Sequence, residues 1–277
     1  MLNEALKLAA NCDVIVAAVG EAAEMSGESS SRADIGMPDA QQELLKALVA
    51  TGKPVVMVLF TGRPLTLTWE EANIPAILNV WFPGTEAGTA IADVLYGQTV
   101  PSGKLTTSFP RMTGQIPLYY NHKNTGRPLG EGEWFSKFKS NYLDVPNDPL
   151  YPFGFGLSYT TFQYSDLKID KTTLKPTENL KVQVTLKNTG NYDAKEVVQL
   201  YLRDKVGSIT RPVKELKKFE KIFLKKGETS IVEFSLNIED LKFYNSNFEF
   251  EAEPGSFTLF VGGNSRDVLQ VDFELSE

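Results

Sequence analysis

The chain has 277 residues, with 42% hydrophobic and 11% aromatic content, which supports real cores and excludes wholesale disorder. Lys+Arg 28 against Asp+Glu 35 gives a formal charge of -7, which argues against nucleic acid or an anionic membrane as partner. One cysteine, Cys12, and one histidine, His122, exclude a disulfide framework, a multi-cysteine metal site and a His-rich zinc, copper or iron site. No run of about 20 apolar residues is present, so no membrane-spanning helix is expected, and no secretory leader is visible.

Residues 2–10 place Leu2, Leu6 and Ala9 at helical spacing. An α/β domain ordinarily opens on a strand, so this start reads as the middle of a pattern whose first strand is missing. Cys12 is expected as a buried, inert thiol just ahead of the solid apolar run 14–19. That run predicts a strand buried on both faces, as in parallel sheets. Asp39 is placed to cap a helix reaching Val49, with Leu44, Leu45 and Leu48 as its apolar stripe. Residues 55–60 and 76–81 predict two further strands, joined by a helical turn around 68–72. A helix over 85–97 is expected to turn Ala90, Ile91, Val94 and Leu95 inward, and residues 105–109 read as a last short strand. Helices alternating with apolar strands argue for a parallel sheet with right-handed crossovers. The expected first domain is residues 1–109.

Residues 110–160 are rich in proline, glycine and aromatics, which suits an ordered connecting segment better than a flexible linker. From 161 to 277 the period changes, with apolar and polar residues alternating in segments such as Leu180, Val182, Val184 and Leu186. About seven short strands are expected there, an immunoglobulin or fibronectin type III sandwich, with a helical turn at 238–241. Lys214, Lys217, Lys218, Lys221, Lys225 and Lys226 form a basic stretch. It reads either as a polysaccharide contact or as a solvated sheet face, and the interspersed Glu215, Glu220 and Glu228 favour the second.

The phosphate-loop, dinucleotide, HExxH, EF-hand and nucleophile-elbow patterns are all missing. What remains is a set of carboxylates on the loop after the first strand: Glu21, Glu24 and Glu28, followed by Arg32 and Asp34. Loops at strand carboxyl ends are the usual place of function in such sheets. A carboxyl there suits general acid catalysis, and the plain alternative is a solvent-facing loop residue.

The string Val19-Gly20-Glu21, Gly27-Glu28-Ser29-Ser30-Ser31-Arg32-Ala33-Asp34-Ile35 and Met37-Pro38 resembles the β-glucosidases of glycoside hydrolase family three. The likeness continues through Thr61-Gly62-Arg63-Pro64-Leu65, Trp81-Phe82-Pro83-Gly84-Thr85-Glu86 and Pro101-Ser102-Gly103-Lys104-Leu105. It goes on through Asn124-Thr125-Gly126-Arg127-Pro128, Tyr151-Pro152-Phe153-Gly154-Phe155-Gly156 and Arg211-Pro212-Val213-Lys214-Glu215-Leu216, and so covers essentially the whole chain. It is similar above all to the broad-specificity bacterial enzymes, many of them periplasmic.

The resemblance implies an α/β sandwich domain with a parallel or mixed sheet, truncated at its N-terminus, followed by an all-β fibronectin type III-like sandwich. In the family a (β/α)₈ barrel precedes these two and carries the aspartate nucleophile in a Ser-Asp-Trp context. Such a barrel takes about 250 residues, and the chain has neither the room nor the motif. The chain therefore reads as the C-terminal portion of a retaining β-glucosidase, inactive alone, whose partners are β-glucosides or oligosaccharides and the missing barrel. Carried over, the acid/base is Glu28, with Glu24 as the fallback. Glu21 shapes the loop, Arg32 braces it through Asp34, and Gly-Arg-Pro is structural. No metal or organic cofactor is implied, and the full-length protein is expected in the periplasm or secreted. A second reading, from a different class, is a carbohydrate-binding or interaction module without catalysis.

Overall fold

In a computed structural model, which describes residues 1–130 and 133–277, the chain forms two compact units. The first comprises Met1–Tyr96, Phe109–Leu118 and Asp148–Tyr151; the second comprises Gly97–Ser108, Tyr119–Asn147 and Pro152–Glu277. The 110–160 segment, two of whose residues (131 and 132) lie outside the described ones, is thus shared between the units.

The first unit is α/β. Helices α1 (Leu2–Ala9), α2 (Asp39–Val49), α3 (Thr68–Asn73) and α4 (Ala87–Leu95) accompany strands β1 (Ile15–Gly20), β2 (Val55–Phe60) and β3 (Ala76–Asn79). The strands form one parallel sheet in the order β1-β2-β3. Residues paired across parallel strands share a face, so Ile15, Ala17 and Val19 lie alongside Val55, Met57 and Leu59. All six are buried, and α2 packs on β1 with Leu45 and Leu48 also buried.

The other face of β1 differs from the sequence expectation. Val14 and Val16 are 50% and 53% exposed, and Ala18 is exposed as well. Strands in sequential order with right-handed crossovers send their helices to one side, and the second face stays open along β1, although Val58 of β2 is buried on it. The expected stripe on α4 is not a core either: Ala90 is exposed, and Ile91, Val94 and Leu95 are half-buried. Pro38, not Asp39, takes the N-cap position of α2, and its carbonyl accepts the Gln41 and Gln42 N–H groups. Cys12 is half-buried rather than buried, with Sγ directed at the Ala9 carbonyl. The expected strand over 105–109 is reduced to a single bridge, Phe109 to Tyr151. Phe109 is nonetheless buried, 5.7 Å from the Trp81 ring and 6.0 Å from the Tyr151 ring.

The second unit is a β-sandwich. Its strands are β4 (Phe162–Ile169), β5 (Thr173–Leu174), β6 (Leu180–Asn188), β7 (Ala194–Asp204), β8 (Glu215–Leu224) and β9 (Thr229–Leu236). After a helical turn, α5 (Ile238–Leu241), come β10 (Phe243–Tyr244), β11 (Phe250–Glu251), β12 (Gly255–Gly262) and β13 (Val268–Leu275). One sheet runs β5-β13-β12-β7-β8 and the other β4-β6-β9. Alternate residues of both sheets interdigitate in one core, including Leu180, Leu186, Leu200, Leu236, Leu259 and Val261, each 0% exposed. Asn188 is buried with its amide fully used: Oδ1 accepts from Thr160, and Nδ2 donates to the Tyr192 and Leu224 carbonyls. The basic stretch is interleaved with acids, as in Lys218 at 3.0 Å from Asp240, and Lys214 lies over the Phe260 ring.

Candidate active site

The site sits where β1 and β2 end. Their register pairs Gly20 with Phe60, so the next residues, Glu21 and Thr61, leave the sheet side by side. Gly20 has φ 143°, and a Cβ there would lie 1.8 Å from the Phe60 carbonyl oxygen, so the position demands glycine. Gln41 of α2 clasps the same strand end. Its Oε1 accepts from Gly20 N–H at 2.6 Å, and its Nε2 donates to the Gly20 carbonyl at 2.7 Å.

The Glu21 side chain is fully buried and collects four partners. Oε1 lies 3.0 Å from Arg32 Nη1 and 2.9 Å from Arg63 Nε, the latter an ion pair without hydrogen-bond alignment. Oε2 accepts from Thr61 Oγ1 at 3.0 Å and from Gly62 N–H at 3.2 Å. Burial by itself pushes this carboxyl up. The hydrogen bonds from Arg32, Thr61 and Gly62, with the Arg63 charge, outweigh that and hold it below the ordinary glutamate range.

From this base rises the loop that carries the predicted carboxylates. Arg63 Nη2 donates to the Met25 carbonyl and, at 2.8 Å, to the Ser30 carbonyl. Arg32 Nη2 donates to the Gly36 carbonyl at 3.0 Å. A Cβ on Gly62 would lie 1.9 Å from Ser26 Oγ, so the loop descends directly onto the Gly62 backbone. Between these anchors Gly27, at φ 127°, and Ser29, at φ 60°, carry the chain over a tight crest. Glu28 stands exposed on that crest, and Glu24 is exposed on the 3₁₀ turn Ala23–Met25.

Of the predicted residues, the structure joins Glu21 and Arg32 and leaves Glu24 and Glu28 in solvent. Arg32 is engaged by Glu21 and Gly36, while Asp34 closes its own turn by accepting the Gly36 N–H at 2.9 Å. Sequence reasoning gave Arg63 only a structural part and assigned no role to Thr61 or Gln41. The available signal was positional: Glu21 and Thr61 each directly follow an apolar strand run, and Arg63 stands two residues further on. Two cavities flank the loop. One of 370 Å³ is lined by Gly20, Glu21, Gln41 and Phe60, and one of 550 Å³ by Asp34, Thr66, Arg111 and Met112. The other unit holds His122, exposed with Nδ1 3.2 Å from the Tyr119 carbonyl, and Trp134, also exposed. Among the described residues no three His, Cys, Asp or Glu side chains converge to hold a metal ion. The arrangement offers an exposed carboxyl on a loop tied to a buried ionic footing.

Comparison with known proteins agrees with this layout. A family model described as the glycosyl hydrolase family 3 C-terminal domain matches residues 1–159, and a fibronectin type III-like domain matches residues 196–265. A periplasmic β-glucosidase of Salmonella typhimurium is 51% identical over 99% of this chain and 36% of its own length. A β-xylosidase of Formosa agariphila is 42% identical over 95% of this chain and 35% of its own length. The crystal structure of a β-glucosidase from Listeria innocua in complex with glucose superposes with a TM-score of 0.92, at 47% identity, over 99% of this chain and 38% of that one. The chain thus spans little more than a third of the length of these relatives.

Proposed function

Since the chain belongs to glycosyl hydrolase family 3, we propose that it forms the C-terminal portion of a retaining β-glucosidase acting on terminal, non-reducing β-D-glucosyl residues. In this reading Glu28 is the general acid/base and the nucleophilic aspartate lies on a barrel outside the chain. The observation that carries it is the setting of Glu28: an exposed carboxyl on the crest of a loop whose base is fixed by Glu21, Arg32 and Arg63. The relatives named β-glucosidase, one of them solved with glucose, support the substrate class. The Salmonella protein's name supports a periplasmic or secreted location for the full-length enzyme.

Retention requires two carboxyl groups about 5–5.5 Å apart across the glycosidic bond. The aspartate attacks the anomeric carbon while Glu28 delivers its proton to the departing oxygen, leaving a glycosyl-enzyme. Glu28, now a carboxylate, takes a proton from water, which attacks the anomeric carbon and releases glucose with its original configuration. Two carboxyl groups suffice, so the reaction asks for no metal or organic cofactor.

Glu28→Gln in the full-length enzyme is expected to lower kcat/KM by about 10²–10⁴-fold for glucosides with poor leaving groups. It should spare 2,4-dinitrophenyl β-glucoside, whose aglycone departs unprotonated. Equal rates for variant and parent across the leaving-group series would remove Glu28 from the role.

A further inference from the structure

We propose that Arg63 is the positioning residue of the acid/base loop, a staple that sets where the Glu28 carboxyl stands. The inference rests on the reading of Glu28 given above and adds a residue that reading does not contain. The guanidinium of Arg63 works at both ends. Its Nη2 gathers the carbonyls of Met25 and Ser30, the residues that bracket 26–29. Its Nε lies against the Glu21 carboxylate, which is fully buried and anchored to the end of β2 through Thr61 and Gly62. One planar cation thereby pins both feet of the loop to the sheet. A lysine could supply the charge but not the fork.

The crest has little else to hold it. A Cβ built on Gly27 meets nothing within 4 Å, and Gly27, Glu28 and Ser29 are all exposed. The Ser30 N–H donates to the Gly27 carbonyl at 3.3 Å, and Ser30 Oγ to the Glu28 carbonyl at 3.4 Å, both long contacts within the crest itself. Arg32 acts further along, on Gly36, outside the 25–30 span. Removing Arg63 therefore frees the segment that bears Glu28 while the sheet beneath keeps its pairing. General acid catalysis needs the proton within hydrogen-bond reach of the departing oxygen, so loop freedom reads out as lost proton delivery.

Two measurements test the staple. In the full-length enzyme, Arg63→Ala should lower kcat/KM for glucosides with poor leaving groups by about 10–100-fold, the scale of an ångström-sized misplacement. For 2,4-dinitrophenyl β-glucoside the loss should stay within about threefold, because that aglycone needs no proton. Combining Arg63→Ala with Glu28→Gln should add almost nothing for the poor leaving groups, since both changes remove the same proton transfer. Uniform loss across the series, or full additivity with Glu28→Gln, would overturn the proposal. In the 277-residue chain, Arg63→Ala should speed amide hydrogen exchange at 25–31 while leaving β2 protected; unchanged exchange there would also overturn it. If Glu28→Gln itself shows no leaving-group dependence, the acid/base role fails and the leaving-group readout lapses; faster exchange at 25–31 in Arg63→Ala then supports the staple, and unchanged exchange overturns it.

Discussion

The two units bury apolar surface in opposite ways. In the sandwich strands such as β6 and β9 alternate, and both inner faces close on one another, so Leu180, Leu200 and Leu259 reach 0% exposure. In the α/β unit the strands are apolar on both faces; one face is filled throughout, and the other is covered at Val58 of β2 but open along β1. Met57 and Leu59 are fully buried, while Val14 and Val16 remain half-exposed on the far side. The sandwich draws its cohesion from an interior. The α/β unit adds polar anchoring at the ends of β1 and β2, where Glu21, Arg32, Arg63 and Gln41 tie loop, sheet and helix together. The loop that carries Glu28 belongs to this unit, and ionic contacts fix its base.

The sharpest way to break this contrast is to cut into the closed core. Leu200→Ala in β7 removes a side chain that has no exposed surface and is surrounded by both sheets. The lost burial plus the cavity left behind should cost about 3 kcal/mol in urea-induced unfolding. A cost near zero would mean that the sandwich is loosely filled, and the distinction between the units would collapse.

Next in size comes the ionic footing. Glu21→Gln leaves two guanidinium groups facing a neutral amide at a fully buried position, which should cost about 2 kcal/mol at pH 7, less than a wholly enclosed pair because both arginines are partly solvated. The folded-state pKa of Glu21 lies below its reference value of 4.5. Its carboxylate therefore contributes stability above about pH 4.5, and that contribution fades as acid drives the pH down through the lowered folded value. The difference between parent and variant should accordingly be full at pH 7 and shrink below pH 4.5. A difference independent of pH, measured by urea unfolding at pH 7 and pH 3.5, would assign the loss to packing instead of charge.

How far each unit could be read in the sequence follows from the same contrast. Alternation along 180–186 announces which side of β6 is buried, because a two-residue period leaves a visible polar face. The uniform run at 14–19 announces a strand but cannot say which face a neighbour covers, and there the expectation of two-sided burial failed. The proposal for Glu28 rests on its motif, since nothing about an exposed loop carboxylate distinguishes it by spacing. The link from Arg63 to the loop has no sequence signal, because its partners at Met25 and Ser30 are main-chain carbonyls, which carry no residue-type signature and lie 38 and 33 positions away. Only the parallel register of β1 and β2 brings them together.

The smallest expected effect tests the open face itself. Val16→Thr keeps a β-branched side chain and its strand preference while replacing a methyl by a hydroxyl. On a covered face that hydroxyl would be stranded without a partner and would cost well over 1 kcal/mol. At a position already 53% exposed it can reach water, so the change should stay within about 0.5 kcal/mol in the 277-residue chain. The same substitution at Val184 of the sandwich, 1% exposed, supplies the reference for a covered face. Comparable losses at Val16 and Val184 would show that the far side of β1 is sheltered in solution and that the α/β unit, like the sandwich, closes around its own sheet.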